Sequence, residues 1–252
     1  DENRRGKAPK GFMDLLDVGD LVYLSAENDQ VKLDQIPQAQ SSLISFNPKT
    51  GEVLSYVGGS VFNDSQFDRV RQSYPQSGSV FKPFIYASAF SGGYNPSSLI
   101  NDAPIIFEDE NLETFWRPEN YSGKFYGLTT LREALVQSIN IVSIKLLREI
   151  GIKKSSETVD NFGFGIERLP QDLSLALGSG NFSPAEVARG FSVFANGGMI
   201  SDIHYVSQIK DKNGDIIFDH SEIDVVNVSS ISAFPWLLSL IHISEPTRRS
   251  YI

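Results

Sequence analysis

Apolar and polar positions alternate most clearly in two short runs near the start of the chain. SLISF (42–46) and EVLSYV (52–57) flank the turn NPKTG (47–51). Asn-Pro dipeptides open turns, and a glycine such as Gly51 tolerates positive φ. This pattern predicts a β-hairpin.

Weaker alternation predicts two further strand pairs. Residues 18–24 and 31–36 read VGDLVYL and VKLDQI and flank a polar turn, which predicts the end of a small β module. Residues 206–210 and 215–218 flank Asn213-Gly214, a dipeptide typical of tight hairpin turns. We therefore expect a second short hairpin late in the chain.

Apolar residues at helical spacing predict several helices. One run, 84–90, continues from Ser79 and is broken by SGGYNP (91–96). Another, 141–150, ends at Gly151, where a helix C-terminus favours glycine. The sequences TLRE (130–133) and SPAE (183–186) are capping boxes that predict helix starts. The second of these begins a helix that buries Val187, Phe191 and Phe194 and stops at Asn196-Gly197-Gly198.

No regular pattern is present between residues 101 and 127, which predicts a long irregular stretch. It contains the aromatic and polar cluster WRPENY (116–121). Loops of this length inside a compact domain are usually functional. A merely surface-exposed loop is the alternative, and the sequence leaves both open.

Charge and composition exclude several classes of function. The net charge of -9 argues against nucleic acid as a partner, because no basic stripe is available to neutralise phosphates. With no cysteine and only three scattered histidines, a thiolate or histidine metal site and a histidine triad are not expected. No run of about 18 apolar residues and no signal peptide is present, so we expect a soluble piece, cut from something anchored.

The strongest candidate for chemistry is the stretch QSGSVFKP (76–83). If Ser79 opens a helix, the spacing of three places Lys82 on the same face. A nucleophilic serine needs a base within reach and a positive potential around it, and a helix N-terminus supplies the potential. A glycine turn followed by an ordinary serine cap and a solvated lysine is the alternative.

Ser138 and Asn140 form a second candidate, SIN (138–140), between two predicted helices. Two polar side chains separated by one apolar residue make sense if both enter a cleft. Ser138 would then relay a proton between Lys82 and a leaving group, and Asn140 would hold a substrate amide and the lysine amine. A local cap at the junction of two helices explains the same residues.

QSGSVFKP, ALVQSIN (134–140) and their separation resemble the first two motifs of the penicillin-binding transpeptidases. The flanking stretches NPKTGEVLSYVGG (47–59), FDRVRQ (67–72), LALGS (175–179) and SPAEVARGFSVFANGG (183–198) resemble the bifunctional class A enzymes, most nearly their 1A type. The resemblance covers roughly residues 18–237.

The resemblance implies that Ser79 attacks the penultimate D-alanine of a stem peptide and forms an acyl-enzyme. Lys82 would be the general base, Ser138 would shuttle the proton and Asn140 would hold substrate. The implied partners are peptidoglycan stem peptides and β-lactams, which would acylate the same serine. No metal or organic cofactor is needed. The implied parent is also a glycosyltransferase, at the periplasmic face of the bacterial inner membrane through an N-terminal anchor outside this sequence.

The chain departs from the family pattern after Asn140, where no Lys-Thr/Ser-Gly motif follows. The one such sequence, Lys49-Thr50-Gly51, precedes the nucleophile in the turn of the first hairpin. Residues 238–252 resemble the translation of a sequencing adapter, so we expect a non-native tail and a truncated domain. The predicted domains are 1–40, the tail of a small OB-like β domain and linker, and 41–237, the N-terminal part of the transpeptidase domain.

The implied fold class is α+β, a β-lactamase/transpeptidase-like antiparallel sheet flanked by helices, with the nucleophile helix at its centre and the C-terminal strands missing. Exposed apolar surface is expected on the remaining strands. The expected function is peptidoglycan D,D-transpeptidation, with this fragment inactive alone. The alternatives are a non-catalytic penicillin- or peptidoglycan-binding module and a D,D-carboxypeptidase.

Overall fold

A computed structural model describes residues 10–27, 30–34, 39–63, 65–109, 114–220 and 225–227. The chain divides into two compact units, Asp1–Gln40 and Ser41–Ile252. The predicted non-native tail, 238–252, lies outside the described residues.

The described residues form helices and strands in mixed order. The α-helices are α1 (Lys82–Ser91), α2 (Leu131–Val136), α3 (Asn140–Ile150), α4 (Ile152–Asp160) and α5 (Pro184–Ala195). Short 3-10 helices cover Phe12–Asp14, Gly78–Phe81, Ile166–Arg168 and Leu173–Leu177. The strands are β1 (Tyr23–Glu27), β2 (Gln30–Asp34), β3 (Leu43–Phe46), β4 (Val53–Val57), β5 (Leu99–Asp102), β6 (Phe107–Asp109), β7 (Thr114–Trp116), β8 (Gly127–Thr130), β9 (Met199–Ser201), β10 (Gln208–Lys210), β11 (Ile216–Asp219) and β12 (Val225–Asn227).

The first unit contains the antiparallel pair β1–β2, in register from Tyr23 opposite Asp34 to Glu27 opposite Gln30. The predicted first strand was placed too early, because it begins at Tyr23 and not at residue 18. Gly19 has φ +109, so the backbone turns there. Val18 and Leu21 are almost fully exposed and therefore gain nothing from sheet burial.

The second unit opens with the predicted hairpin, which the structure confirms as the antiparallel pair β3–β4. The register shifts between Ser45 and Phe46, as at a β-bulge. Leu43, Leu54 and Val57 are 52%, 63% and 48% exposed, so the expected exposed apolar surface on these strands is present.

Helix α1 lies at the centre of the core, as predicted. Every residue from position 84 to 90 is buried, so the helix is enclosed on all sides and not along one stripe. Phe84 contacts a cluster of aromatic rings with centroids 4.8–5.4 Å away, which are those of Phe81, Phe162, Phe164, Phe191 and Phe194. This dense packing holds the start of α1 in a fixed place.

The prediction of an irregular stretch at 101–127 was partly wrong. Strand β5 pairs antiparallel with β8, and β6 pairs antiparallel with β7. Pairing partners lie up to 31 positions apart, as in Leu99 opposite Thr130, so short-range alternation gave no signal. Trp116 packs against Phe107 with ring centroids 5.2 Å apart.

The later helices follow the sequence except for one missed helix and one incomplete cap. At the start of α2, the Thr130 hydroxyl accepts from the Glu133 N–H, which is only one half of the predicted capping box. The predicted end of α3 at Gly151 is confirmed, since that residue has φ +92. Both halves of the capping box at Ser183 are present at the start of α5. Helix α4 was missed because its sequence, IKKSSETVD, is mostly polar and buries only a narrow face. The predicted late hairpin is confirmed as the pair β10–β11.

Candidate active site

Ser79 lies in the 3-10 turn that leads into α1, one turn before Lys82. The Lys82 backbone N–H donates to the Ser79 carbonyl oxygen, so the two residues are neighbours along the helix axis. The Ser79 residue is exposed, whereas Lys82 is fully buried. An exposed serine therefore precedes, by one turn, a lysine that is shielded from water.

The segment before Ser79 is held by a second chain segment, about 100 residues later. The Ser77 N–H donates to the Gly180 carbonyl oxygen at 3.0 Å, and the Gly78 N–H donates to the Gly178 carbonyl oxygen at 2.9 Å. Gly178 has φ +72, and a Cβ atom there would lie 2.0 Å from the Gly78 carbonyl oxygen. Glycine is therefore required at this contact, which fixes the position of the backbone next to Ser79.

The Lys82 amine is enclosed by three oxygen acceptors from the start of α3 and the residues before it. Nζ donates to the Ser138 carbonyl oxygen at 2.6 Å, the Ser138 Oγ at 3.0 Å and the Asn140 Oδ1 at 2.8 Å. All three acceptors are uncharged. The amine is thus fully hydrogen-bonded without an ion pair to any described residue.

Burial lowers the pKa of Lys82 to about 8 from its ordinary value of 10.5. Removing an ammonium group from water disfavours its charged form, and no carboxylate offsets this effect among the described contacts of Nζ. At pH 7, about a tenth of such side chains are neutral, compared with about three in ten thousand at a pKa of 10.5. Lys82 is therefore able to accept a proton near neutral pH.

Ser138 occupies the turn between α2 and α3 in an unusual backbone conformation. Its φ is +53, and it is the one described residue other than glycine with positive φ. The turn is closed by hydrogen bonds from the Ser138 N–H to the Leu135 carbonyl at 3.1 Å and from the Ile139 N–H to the Ala134 carbonyl at 2.8 Å. Such strain in a non-glycine residue is typical of functional sites.

The four predicted residues are thus brought to one region, with Lys82, Ser138 and Asn140 in direct contact and Ser79 one helical turn away. Sequence reasoning missed two residues behind them. Asn120, buried, accepts from the backbone N–H of Asn140 at 3.0 Å and donates to the buried carboxylate of Asp102. The cluster at 116–121 signalled a role for this segment, but no sequence pattern linked it to Asn140.

A separate cavity of about 470 Å³, lined in part by Arg71, Tyr74 and Arg189, includes none of the four predicted residues. Within the described ranges, no group of three or more His, Cys, Asp or Glu side chains is placed to hold a metal ion. Across the same residues, no helix has the length and apolar character needed to cross a bilayer.

Comparison with known proteins gives consistent matches. The family model described as the penicillin binding protein transpeptidase domain matches residues 42–234. Penicillin-binding protein 1A of Pseudomonas aeruginosa is 42% identical over 217 residues, which are 86% of this chain and 26% of that protein. The protein of the same name from Escherichia coli is 37% identical over 218 residues, again 86% and 26% of the two chains. The chain spans about a quarter of the length of these curated relatives.

Solved structures give the same match at the level of the fold. The crystal structure of penicillin-binding protein 1A from Haemophilus influenzae has a TM-score of 0.76 and 32% identity, over 84% of this chain and 33% of that chain. Penicillin-binding protein A of Mycobacterium tuberculosis, in an imipenem acyl-enzyme complex, has a TM-score of 0.72 at 18% identity, over 84% and 59% of the two chains. This second likeness bears on the fold alone. The predicted fold class is confirmed.

Proposed function

The chain belongs to the penicillin-binding protein transpeptidase family, and from this premise we propose that it performs acyl transfer in peptidoglycan D,D-transpeptidation. The observation that carries the proposal is the buried Lys82 amine, which contacts Ser138 and Asn140 and follows Ser79 by one helical turn. This is the arrangement that activates a serine hydroxyl: a nucleophile at the surface and a base with a lowered pKa behind it.

In the first step, the Ser79 Oγ attacks the carbonyl carbon of the penultimate D-alanine, and its proton passes to the neutral Lys82 Nζ. The carbonyl oxygen carries the negative charge of the tetrahedral intermediate, and the backbone N–H of Ser79 is one donor toward it. Collapse of the intermediate breaks the peptide bond and leaves an ester on Ser79. The leaving amine of the terminal D-alanine takes up the proton.

Ser138 is suited to carry that proton because of the chemistry of the three acceptors around Nζ. A carbonyl oxygen and an amide oxygen only accept hydrogen bonds, whereas a hydroxyl accepts and donates. Once Lys82 has taken the Ser79 proton, the three N–H groups of its ammonium are matched by the Ser138 carbonyl, the Asn140 Oδ1 and the Ser138 Oγ. The Ser138 hydroxyl is the one group of the three that passes a proton on.

In the second step, an acceptor amine attacks the ester carbonyl and regenerates the Ser79 hydroxyl. The new amide bond is the cross-link. If water attacks instead, the product is a shortened stem peptide, and the activity is that of a D,D-carboxypeptidase. A β-lactam enters the first step in the same way and stays on Ser79 as a slowly hydrolysed ester.

A second candidate is a module that binds penicillin or peptidoglycan and is acylated without turnover. It requires acylation of the exposed Ser79 beside the buried Lys82, and no second attack on the ester.

The proposed partners are peptidoglycan stem peptides and β-lactams, and the proposed location is the periplasmic face of the bacterial inner membrane. The negative charge of the chain, -9, argues against nucleic acid as a partner. The site chemistry described above needs no metal or organic cofactor. A glycosyltransferase activity in the parent protein is part of the same proposal.

The test uses the full product of the gene that encodes this chain. Incubation with benzylpenicillin, followed by intact mass and peptide mapping, is expected to place one adduct on Ser79, and Ser79→Ala is expected to remain unlabelled. A pentapeptide substrate then separates the candidates. Cross-linked product supports the transpeptidase, D-alanine release without cross-links supports the carboxypeptidase, and an adduct without peptide turnover supports the binding module. An adduct on a residue other than Ser79 contradicts all three.

A further inference from the structure

Helix α3 begins without a capping side chain of its own. Its N-cap is Ile139, which has no polar side-chain atom, so the first backbone N–H groups of the helix need a partner from elsewhere. Asn120 supplies it. Its Oδ1 accepts from the Asn140 N–H at 3.0 Å and from the Ile141 N–H at 3.1 Å. The start of α3, and with it Asn140, is therefore fixed by a residue 20 positions earlier.

The orientation of the Asn120 amide is determined by the groups on its other side. Nδ2 donates to both carboxylate oxygens of Asp102 at 2.9 Å and to the Lys124 carbonyl oxygen at 2.8 Å. A rotated amide would set its NH₂ group against two backbone N–H donors and its oxygen against a carboxylate. Only one orientation satisfies the network, and Asn120 is only 6% exposed.

The position of Asp102 is also fixed by its surroundings. It is 1% exposed, and its carboxylate also accepts from the Tyr126 N–H at 2.9 Å. The Lys145 ammonium lies nearby and donates to the carbonyl oxygens of Asn101 and Ala103 at 2.8 and 3.0 Å. Both carboxylate oxygens of Asp102 accept from the Asn120 Nδ2, so this residue holds the NH₂ side of Asn120 toward itself.

The neighbouring residue, Glu119, fixes the side chain of Asn140. The Asn140 Nδ2 donates to the Glu119 carbonyl oxygen at 2.9 Å, which turns Oδ1 toward the Lys82 Nζ. Two consecutive residues, 119 and 120, thus set the amide orientation of Asn140 and the backbone position from which it extends.

We propose that Asn120, oriented by Asp102, is a positioning residue that holds Asn140 and Ser138 around the Lys82 amine. It touches neither Ser79 nor Lys82 in the described structure, so it acts through Asn140. The expected effect of Asn120 on acylation rests on the proposed function. The expected effect of Asn120 on the surroundings of Lys82 is independent of what Ser79 does.

The test compares Asn120→Asp with the exchange variant Asn120→Asp/Asp102→Asn in the full gene product. Asn120→Asp keeps a side-chain oxygen for the α3 N–H groups. It also places a second carboxylate against that of Asp102, and the two negative charges repel each other. The exchange restores one amide and one carboxylate at the contact. Asn95→Asp is the matched control, because Asn95 also accepts a backbone N–H bond, from Ser97 at 2.9 Å, in a different turn.

Two readouts are measured for each protein. One is the pKa of Lys82, from NMR of lysine-labelled protein with the signal assigned by its loss in Lys82→Met. The other is the rate of acylation by benzylpenicillin as a function of pH. In Asn120→Asp we expect the Lys82 pKa to rise by at least half a unit and acylation at pH 7.5 to slow at least tenfold. The exchange variant is expected to return both the Lys82 pKa and the acylation rate part of the way to their wild-type values. Asn95→Asp is expected to change neither quantity.

An unchanged Lys82 pKa in Asn120→Asp overturns the inference, as does a change equal to that in Asn95→Asp. If Asn120→Asp does not yield folded protein, Asn120→Ala, which adds no charge, is judged by the same two criteria. Absence of labelling in the unsubstituted protein counts against the proposed function and leaves the Lys82 pKa comparison valid. The two failures are therefore distinguishable.

Discussion

The Lys82 Nζ lies 2.6 Å from the carbonyl oxygen of Ser138, although the two residues are 56 positions apart. This contact joins the buried helix α1 to the turn before α3. It exists because Ser138 has φ +53, a conformation found in few residues other than glycine. The strained turn and the lysine site are therefore parts of one arrangement.

Ser138→Gly and Ser138→Ala are expected to separate strain from chemistry. Both remove the hydroxyl, but only glycine relieves the positive φ. We expect Ser138→Gly to be more stable than Ser138→Ala by about 1 kcal/mol in urea unfolding. Both variants are expected to acylate about 10²-fold more slowly, because the proton relay is lost. Wild-type acylation in Ser138→Ala would show that the hydroxyl carries no proton.

Gly178→Ala is expected to displace the segment before Ser79. Its Cβ would lie 2.0 Å from the Gly78 carbonyl oxygen, so the backbone contact must open. Gly197→Ala is the matched control, because Gly197 has a similar φ of +65 and open space around the added Cβ. In both variants an alanine is held at positive φ, which lowers the free energy of unfolding by about 1 kcal/mol.

The measurement compares the two variants by urea unfolding and by the rate of acylation with benzylpenicillin. Only Gly178→Ala is expected to show further destabilisation together with slower acylation. Equal stability and equal rates in the two variants would mean that the 178–180 segment does not position Ser79.

The lowered pKa of Lys82 also predicts a pH dependence of stability. Between pH 8 and 10.5, the unfolded chain holds the lysine proton and the folded chain does not, so the free energy of unfolding rises with pH. Between pH 7.5 and pH 10, the stability of the wild type relative to Lys82→Met is expected to increase by about 2 kcal/mol, from 1.36 kcal/mol per pKa unit.

Urea unfolding of both proteins at pH 7.5 and pH 10 measures this difference. Comparison with Lys82→Met removes the contribution of other groups, such as the buried Tyr86, that are present in both proteins. A difference that stays constant between the two pH values would mean that Lys82 has an ordinary pKa in the folded state.

The sequence was sufficient for the parts of the site that depend on local spacing. Ser79 and Lys82 are three residues apart, and the expected helical turn between them is present, although the α-helix itself begins at Lys82 and Ser79 lies in the 3-10 turn before it. The β3–β4 hairpin and helix α5 carry their own turn and capping residues, so their bounds were predicted within one or two residues.

The remaining features depend on contacts between distant segments. Asn120 and Asp102 reach the site through pairing of β5 with β8 and through hydrogen bonds to α3, none of which leaves a periodic pattern. The requirement for glycine at position 178 arises from its contact with Gly78, 100 residues earlier, which only the folded chain reveals. Helix α4 was not predicted because its sequence is mostly polar and has no apolar stripe. Packing against the rest of the fold stabilises it.

The most direct test of the central claim is the pH dependence of Ser79 acylation by benzylpenicillin, followed by intact mass in the full gene product. If neutral Lys82 is the base, the rate rises with pH and levels off above an apparent pKa of about 8. Lys82→Arg, which keeps the charge and cannot lose its proton, is expected to lower the rate by about 10²–10⁴ and to abolish this rise. A rate that is independent of pH in the wild type, or equal in Lys82→Arg, would contradict the assignment of Lys82 as the base that activates Ser79.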